Sequence, residues 1–199
     1  MYKVFCATVL GSERHQRMAQ RLDGIQWIPA VSMDDPRMVG RTRPYAIMYA
    51  HLDMIRAFLD SDADYGVICE DDVHIRKDFK DSIQTAIREY RERQLDVLLL
   101  GYLVPHRLPE GISDYDDSQW GTQMYLLDRE SAADIYETFC DPSKVPVFAS
   151  DWTITKYGKR ARIYPMLAIE EGSVDSDHEG QIWFHRQCHD VHFDPEVYN

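Results

Sequence analysis

Tyr65-Gly66-Val67-Ile68-Cys69-Glu70-Asp71-Asp72 is a short apolar run that ends in three acids. A run this short, with Val67 and Ile68 at its centre, reads as a buried strand. The acids then stand at the strand's C-terminal end, which is where open α/β sheets bind their ligands. The segments on either side repeat the alternation. Upstream, Lys3–Leu10 reads as a buried strand closed by Gly11-Ser12, with Ser12 the N-cap of a helix through Met18, Ala19 and Leu22 that ends at Asp23-Gly24. Ile25–Val31 is a second strand and 32–43 a polar loop. Pro44 starts a helix whose apolar positions Ile47, Leu52, Ile55, Phe58 and Leu59 carry the helical period.

Downstream, a helix over Asp78–Arg93 leads into the strand Leu95–Leu100. The stretch 102–120, rich in Pro, Gly and Asp, reads as a loop near the site. Thr122–Leu127 reads as a strand, Ser131–Cys140 and Asp151–Tyr157 as helices, and Arg162–Pro165 as a late strand. Strands and helices that alternate in this way predict an α/β fold, with a mostly parallel central sheet flanked by helices. The periodicity fades after Glu171. Residues 1–180 are therefore expected to form the domain, and 181–199 a histidine-rich tail packed on or beside it.

A chain of 199 residues, 44% hydrophobic and 28% charged, suits one globular domain. Its 22 Lys and Arg stand against 34 Asp and Glu, a formal net charge of −12. Such a surface repels phosphate backbones and anionic headgroups, so nucleic acid is not an expected partner. A cation or a few local donors can still reverse the field inside one cleft. Cys6, Cys69, Cys140 and Cys188 are far apart in sequence, which leaves no CxxC pair. Cys6 and Cys69 lie in apolar runs and read as reduced core residues of a cytoplasmic protein. Val4–Leu10 is too short for a signal-peptide core. No stretch approaches the roughly 18 apolar residues of a spanning helix. A soluble protein is expected, with any membrane contact peripheral.

The acid triplet carries the most chemical information. Hard divalent cations such as Mg²⁺ or Mn²⁺ take oxygen ligands and keep positions open for phosphate oxygens. A carboxylate pair at this spacing can hold a metal that bridges to a diphosphate. The competing reading is an acidic turn that caps the next segment. His51 sits on a helix with an apolar face and reads first as a hydrogen-bonded core histidine, with a supporting place behind the acids as the alternative. His185, Cys188, His189 and His192 have a spacing that zinc can use, but without a Cys pair a mixed polar tail is the preferred reading. Lys156, Lys159, Arg160 and Arg162 form a small basic run, either a solvated face or a neighbour of a diphosphate.

Several segments together resemble glycosyltransferase family 25, which includes lipopolysaccharide-type sugar transferases and collagen galactosyltransferases. Ala46, His51 and Leu52, followed by Glu70-Asp71-Asp72-Val73, match that family's Gly-Glu-x-Ala-Cys-x-x-Ser-His-Leu and Leu-Glu-Asp-Asp-Val patterns. Departures stand at Arg43-Pro44, Ile47, Ala50 and Cys69. Ser12-Glu13-Arg14, Gly121-Thr122-Gln123-Met124-Tyr125-Leu126-Leu127, Ser150-Asp151-Trp152 and Asp175-Ser176-Asp177 resemble further family segments in the same order, so the likeness covers roughly residues 1–180.

The resemblance implies a GT-A (Rossmann-like) fold and a metal-assisted glycosyltransferase. Its donor would be a nucleotide-diphosphate sugar, a UDP-sugar above all, its cation Mn²⁺ or Mg²⁺, and its acceptor a glycan or other hydroxyl. It implies Asp72 as direct metal ligand, Glu70 as second ligand or ribose partner, and Asp71 beside them. Thr8 would meet the base or ribose, and Arg14 the diphosphate or base side. Asp151 would be the catalytic base or acceptor ligand, where the residues alone also allow a helix N-cap. His178 would complete the metal shell, against a plain polar loop. Two alternatives accompany this reading: a non-catalytic sugar-nucleotide or glycan-binding module, and a metal-dependent nucleotide-sugar phosphohydrolase that uses the same acids with water.

Overall fold

The computed structural model describes residues 1–172 and 181–199. In chain order the first part holds β1 (Tyr2–Thr8), α1 (Glu13–Arg21), β2 (Ile25–Pro29), α2 (Arg43–Leu59), β3 (Tyr65–Cys69), β4 (Val73–Ile75) and α3 (Phe79–Arg93). Then come β5 (Val97–Leu103), β6 (Gly111–Asp114), β7 (Trp120–Asp128), α4 (Arg129–Phe139), α5 (Ser150–Thr153), β8 (Arg160–Tyr164), β9 (Ala168–Glu170) and α6 (Ile182–His192). Seven strands make one sheet in the order β2-β1-β3-β7-β5-β8-β6, and β4 pairs with β9 in a second, two-stranded sheet. The pairings run β2, β1, β3, β5 and β8 in one direction and β7 and β6 against them. This is the α/β layout expected from the sequence, a mostly parallel central sheet flanked by helices.

Strand side chains alternate between two faces, and the core divides accordingly. Phe5, Ile68, Val97, Leu99, Tyr125 and Leu127 pack under α2 and α4. Val4, Cys6, Val67, Cys69, Leu98, Leu100, Met124 and Leu126 pack under α1 and α3, through Met18, Ile83, Ala86 and Tyr90. A sheet covered on both faces needs strands that are apolar throughout, which is why β3 and β5 read as unbroken apolar runs. Cys6 and Cys69 are buried and carry free thiols. Among the described residues no helix is long and apolar enough to cross a membrane.

Several boundaries differ from the sequence reading. β1 stops at Thr8, and Val9 and Leu10 leave the sheet at 65% and 58% exposure. β5 continues to Leu103, and the expected loop over 102–120 contains β6. The helix expected at 151–157 is the single turn α5 followed by a 3-10 turn, Ile154–Lys156. The expected tail contains α6, and the chain end is tied down: Asn199 N–H donates to Ile75 O at 2.9 Å, and the Tyr198 hydroxyl to Met166 O at 2.8 Å.

The small sheet anchors the chain beyond the acids. β4 runs on from Asp72 and pairs with β9, and Glu171 N–H donates to Asp72 O at 2.8 Å. The Glu171 carboxylate in turn accepts from Arg17 Nε and Nη2 at 3.0 and 2.9 Å, while Arg21 Nη1 donates to Val73 O at 2.9 Å. Two arginines of α1 thereby clamp the acid loop through charge-assisted bonds. β9 lies against β5 with no room to spare. A Cβ on Gly101 would fall 2.8 Å from Ala168 O and 3.1 Å from Ala168 Cβ. Gly101→Ala must push β9 off β5, because a backbone carbonyl cannot swing aside. A loss of about 1–3 kcal/mol is expected, read as a fall in melting temperature of about 2–4 °C per kcal/mol.

Candidate functional site

Strand direction collects the site. From β1 the chain goes to β2 on one side and then crosses to β3 on the other, so the order reverses between β1 and β3. A crevice opens outside the C-terminal ends of strands at such a point. Thr8 ends β1 and Glu70 follows β3 at that edge, and the opposed β7 brings its beginning there too. The β5–β7 register shifts between Gly101 and Leu103, leaving extra residues in β7 between Trp120 and Met124. Such bulges re-aim side chains next to sites. Gly121 makes this one possible: its φ is +95°, and a Cβ there would fall 2.1 Å from Gln123 Oε1.

The three acids have different partners. Glu70 Oε1 accepts from Thr122 Oγ1 at 3.0 Å and lies 3.3 Å from His51 Nε2. His51 is 1% exposed, and its Nδ1 meets the Tyr125 hydroxyl at 3.0 Å. Asp71 Oδ2 accepts from Thr8 Oγ1 at 2.5 Å. Arg14 Nη1 donates to Asp72 Oδ2 at 3.1 Å and stands 3.8 Å from Asp71 Oδ1. Asp72 Oδ1 is buried with no hydrogen-bond partner.

Their protonation differs for the same reasons. Burial alone would raise the Glu70 pKa, but the hydrogen bond and charge of His51, the Thr122 hydroxyl and the Arg14 charge outweigh it and hold the carboxyl below its ordinary value. Burial raises Asp71 despite Thr8 and Arg14. Asp72 is pushed well above the ordinary range, first by burial and then by the charges of Glu70, Glu170 and Asp71, with Arg14 opposing.

Asp151 joins the acids through Thr122, whose Oγ1 lies 3.3 Å from Asp151 Oδ1 and 3.2 Å from Ser150 Oγ. Thr122 has one hydroxyl proton for two carboxylates, Glu70 and Asp151, while Ser150 can donate to its oxygen, so Thr122 is the hinge of a shared network. Burial and then the Glu70 charge raise the Asp151 pKa. Asp151 is not the helix N-cap; Ala149 occupies that position and makes no side-chain cap bond.

The structure thus brings Thr8, Arg14, Glu70, Asp71, Asp72 and Asp151 to one edge, with His51 beneath. His178 and the 175–177 segment lie outside the described residues. Among the described residues, no group of three or more His, Cys, Asp and Glu side chains is placed to hold a metal ion. That includes the zinc candidates of α6. His185 Nδ1 lies 2.8 Å from both Glu170 oxygens, His189 Nδ1 3.1 Å from Asp190, and His192 Nε2 2.8 Å from Val104 O; burial pushes the Cys188 thiol up to about 12. The basic run serves the scaffold. Lys156 Nζ donates to Asp117 O and Gln119 O, Lys159 to Arg93 O, Arg160 to Asp117 and Arg162 to Gln119.

Sequence reasoning gave no place beside the acids to Thr122, Gln123 or Glu170, and weighed His185 only as a zinc candidate. Gln123 Nε2 donates to Glu170 Oε2 at 3.4 Å, and its buried Oε1 has no partner. The Glu170 hydrogen bond is the first cause that raises the His185 pKa, and the Asp72 and Glu70 charges add to it. Glu170-Glu171 directly after Ala168-Ile169 repeats the signal of Glu70-Asp71-Asp72, acids following an apolar run.

No family model matches the chain, and no curated protein matches its sequence. Among solved structures it bears a partial likeness to A197 from STIV, at 15% identity over 84% of this chain and 83% of that one, with a TM-score of 0.49. Apo-UDP-glucose pyrophosphorylase follows at 13% identity over 92% and 80%, TM-score 0.42. HddC from Yersinia pseudotuberculosis is 13% identical over 95% and 78%, TM-score 0.40. Likenesses this low carry no argument about function, which has to be read from the chain's own geometry and motifs.

Proposed function

We propose that this chain is a glycosyltransferase that moves a hexose from a nucleotide-diphosphate sugar, a UDP-sugar above all, to a hydroxyl acceptor with help from Mn²⁺ or Mg²⁺. The observation that supports it most is Asp72 Oδ1, a buried carboxylate oxygen with no donor, set among the charges of Glu70, Asp71 and Glu170. An unmatched buried oxygen among like charges is the chemistry a hard cation satisfies. Mg²⁺ is commonly held by one or two carboxylates, with waters and substrate phosphates filling its shell, so a cage of three side chains is not required. Asp72 is the ligand in this reading. Glu70 holds the network through its engaged Oε1 and stays the second ligand or ribose partner of the proposal, with a place for His178 in the shell as well.

A bound cation supplies the Lewis acid that neutralises charge on the departing diphosphate. The chain's residues do the rest. Arg14 meets the diphosphate beside Asp71 and Asp72, and Thr8 lines the edge where the base and ribose lie. Asp151 receives the acceptor hydroxyl and takes its proton; a carboxylate whose pKa is raised is the stronger base. Thr122 keeps Asp151 and Glu70 in one register, which limits the freedom of the base.

A second reading has its own observation. The Arg14 guanidinium bonded to Asp72 already places a positive charge among the acids, as a metal-free sugar-nucleotide-binding module would. Incubation with a panel of UDP-sugars, in Mn²⁺ or EDTA and with or without sugar acceptors, separates the two. Acceptor-dependent release of UDP that disappears in EDTA is the expected result. Binding without turnover supports the module, and acceptor-independent cleavage of the phosphate ester points to the phosphohydrolase.

A further inference from the structure

The turn that carries Asp151 also carries an exposed indole. In α5, Ser150 and Thr153 are buried, and Asp151 turns toward Thr122. Trp152 is the member of the turn that faces outward, at 52% exposure. Single exposed apolar residues are ordinary on protein surfaces, but this one is held. Its ring meets Trp120 edge-on, with centroids 4.7 Å apart and planes at 84°. Trp120 is fixed in turn by Lys156, whose Nζ lies 5.5 Å from the ring centroid while bonded to the carbonyls of Asp117 and Gln119. Trp120 begins β7 two residues before Thr122 and Trp152 follows Asp151 in α5, so chain position keeps both indoles near the Thr122–Asp151 pair.

We propose that Trp152, braced by Trp120, is the stacking platform for a pyranose ring of the acceptor, which makes the acceptor a glycan rather than a peptide or lipid hydroxyl. This rests on the glycosyl-transfer reading of the acid edge. A pyranose has an apolar face of C–H groups and a rim of hydroxyls. An indole held at a fixed angle offers such a face a large apolar surface at little cost in side-chain entropy. The rim hydroxyls then reach the turn that holds Asp151, so one residue orients the ring and the next receives the proton. An acyl chain has no such face, and a peptide offers one only where an aromatic or proline side chain falls, whereas every pyranose unit carries it.

The test is direct binding of lactose, maltose and N,N′-diacetylchitobiose to the full chain, followed by intrinsic tryptophan fluorescence, with UDP titrated into the same samples. The parent is expected to bind at least one disaccharide with a shift in emission. Trp152→Ala is expected to bind it about tenfold more weakly, Trp152→Phe to keep most of the affinity, and both to melt and to bind UDP as the parent does. Parental affinity in Trp152→Ala overturns the platform, as does a parent that binds none of the three. Loss of disaccharide binding in Trp152→Ala while the parent fails to bind UDP would remove the donor reading and leave the sugar platform standing.

Discussion

Asp72→Asn is expected to abolish sugar transfer while making the cation-free protein harder to melt. The two effects have one cause. Asp72 is buried among Glu70, Asp71 and Glu170, and its pKa is raised well above the ordinary carboxylate value. An acid whose folded pKa is raised contributes stability that is fully present below its unfolded pKa of about 3.9 and is lost as pH rises through the folded value. Above the unfolded pKa, keeping Asp72 in this site therefore costs stability when no cation is bound. The amide removes the charge at nearly constant volume. In EDTA at pH 7 the variant should melt about 2–4 °C above the parent, and the gap should close as the pH falls toward 4. Function held at the expense of stability is common where like charges are gathered for a ligand. A variant that turns over at the parental rate in Mn²⁺ would show that Asp72 is not a metal ligand.

Asp151→Asn is expected to leave the donor side untouched and stop the chemistry. The substitution keeps the shape of the side chain and one acceptor for Thr122, so the network to Glu70 can persist with its melting temperature near the parent's. It cannot take a proton. Loss of a positioned general base lowers turnover on the order of 10²–10⁴-fold, with UDP affinity little changed. The parent adds a second signature. Burial and the Glu70 charge raise the Asp151 pKa, so the acidic limb of the rate profile should lie above that set by an exposed aspartate, with the rate rising as pH increases through it. Near-parental transfer by Asp151→Asn, or an unshifted limb, would take the residue out of the mechanism. Unfolding of the variant would make it structural.

The elements that were legible in the sequence are those whose signal is local. β3 and β5 are apolar because both faces are covered, and α2 shows a helical period because one face meets the sheet. β4, β6 and β9 are three or four residues long, too short for a period, and exist because of distant partners: Val73 with Glu170, Gly111 with Tyr164. α6 has apolar and polar residues mixed around it, with only Cys188 fully buried, so its pattern did not rise above that of a tail. The same division holds at the site. Glu70, Asp71 and Asp72 were visible because three acids after an apolar run are adjacent in sequence. Thr122 was not, because its role depends on a bulge in β7 that turns it toward Glu70 and Asp151. Glu170 and His185 were hidden because Glu170 reaches the acids through the pairing of β9 with β4, about a hundred residues apart in sequence, and His185 reaches them through Glu170.

Everything proposed for catalysis depends on the acid edge being a cation-dependent site for a nucleoside diphosphate. Calorimetric titration of UDP into the parent and into Asp72→Asn, each in Mn²⁺ and in EDTA, tests this most directly. The parent should bind UDP in Mn²⁺ and lose most of that affinity in EDTA, and Asp72→Asn should bind equally weakly in both. UDP binding by the parent that is indifferent to EDTA, or no UDP binding under either condition, would contradict it.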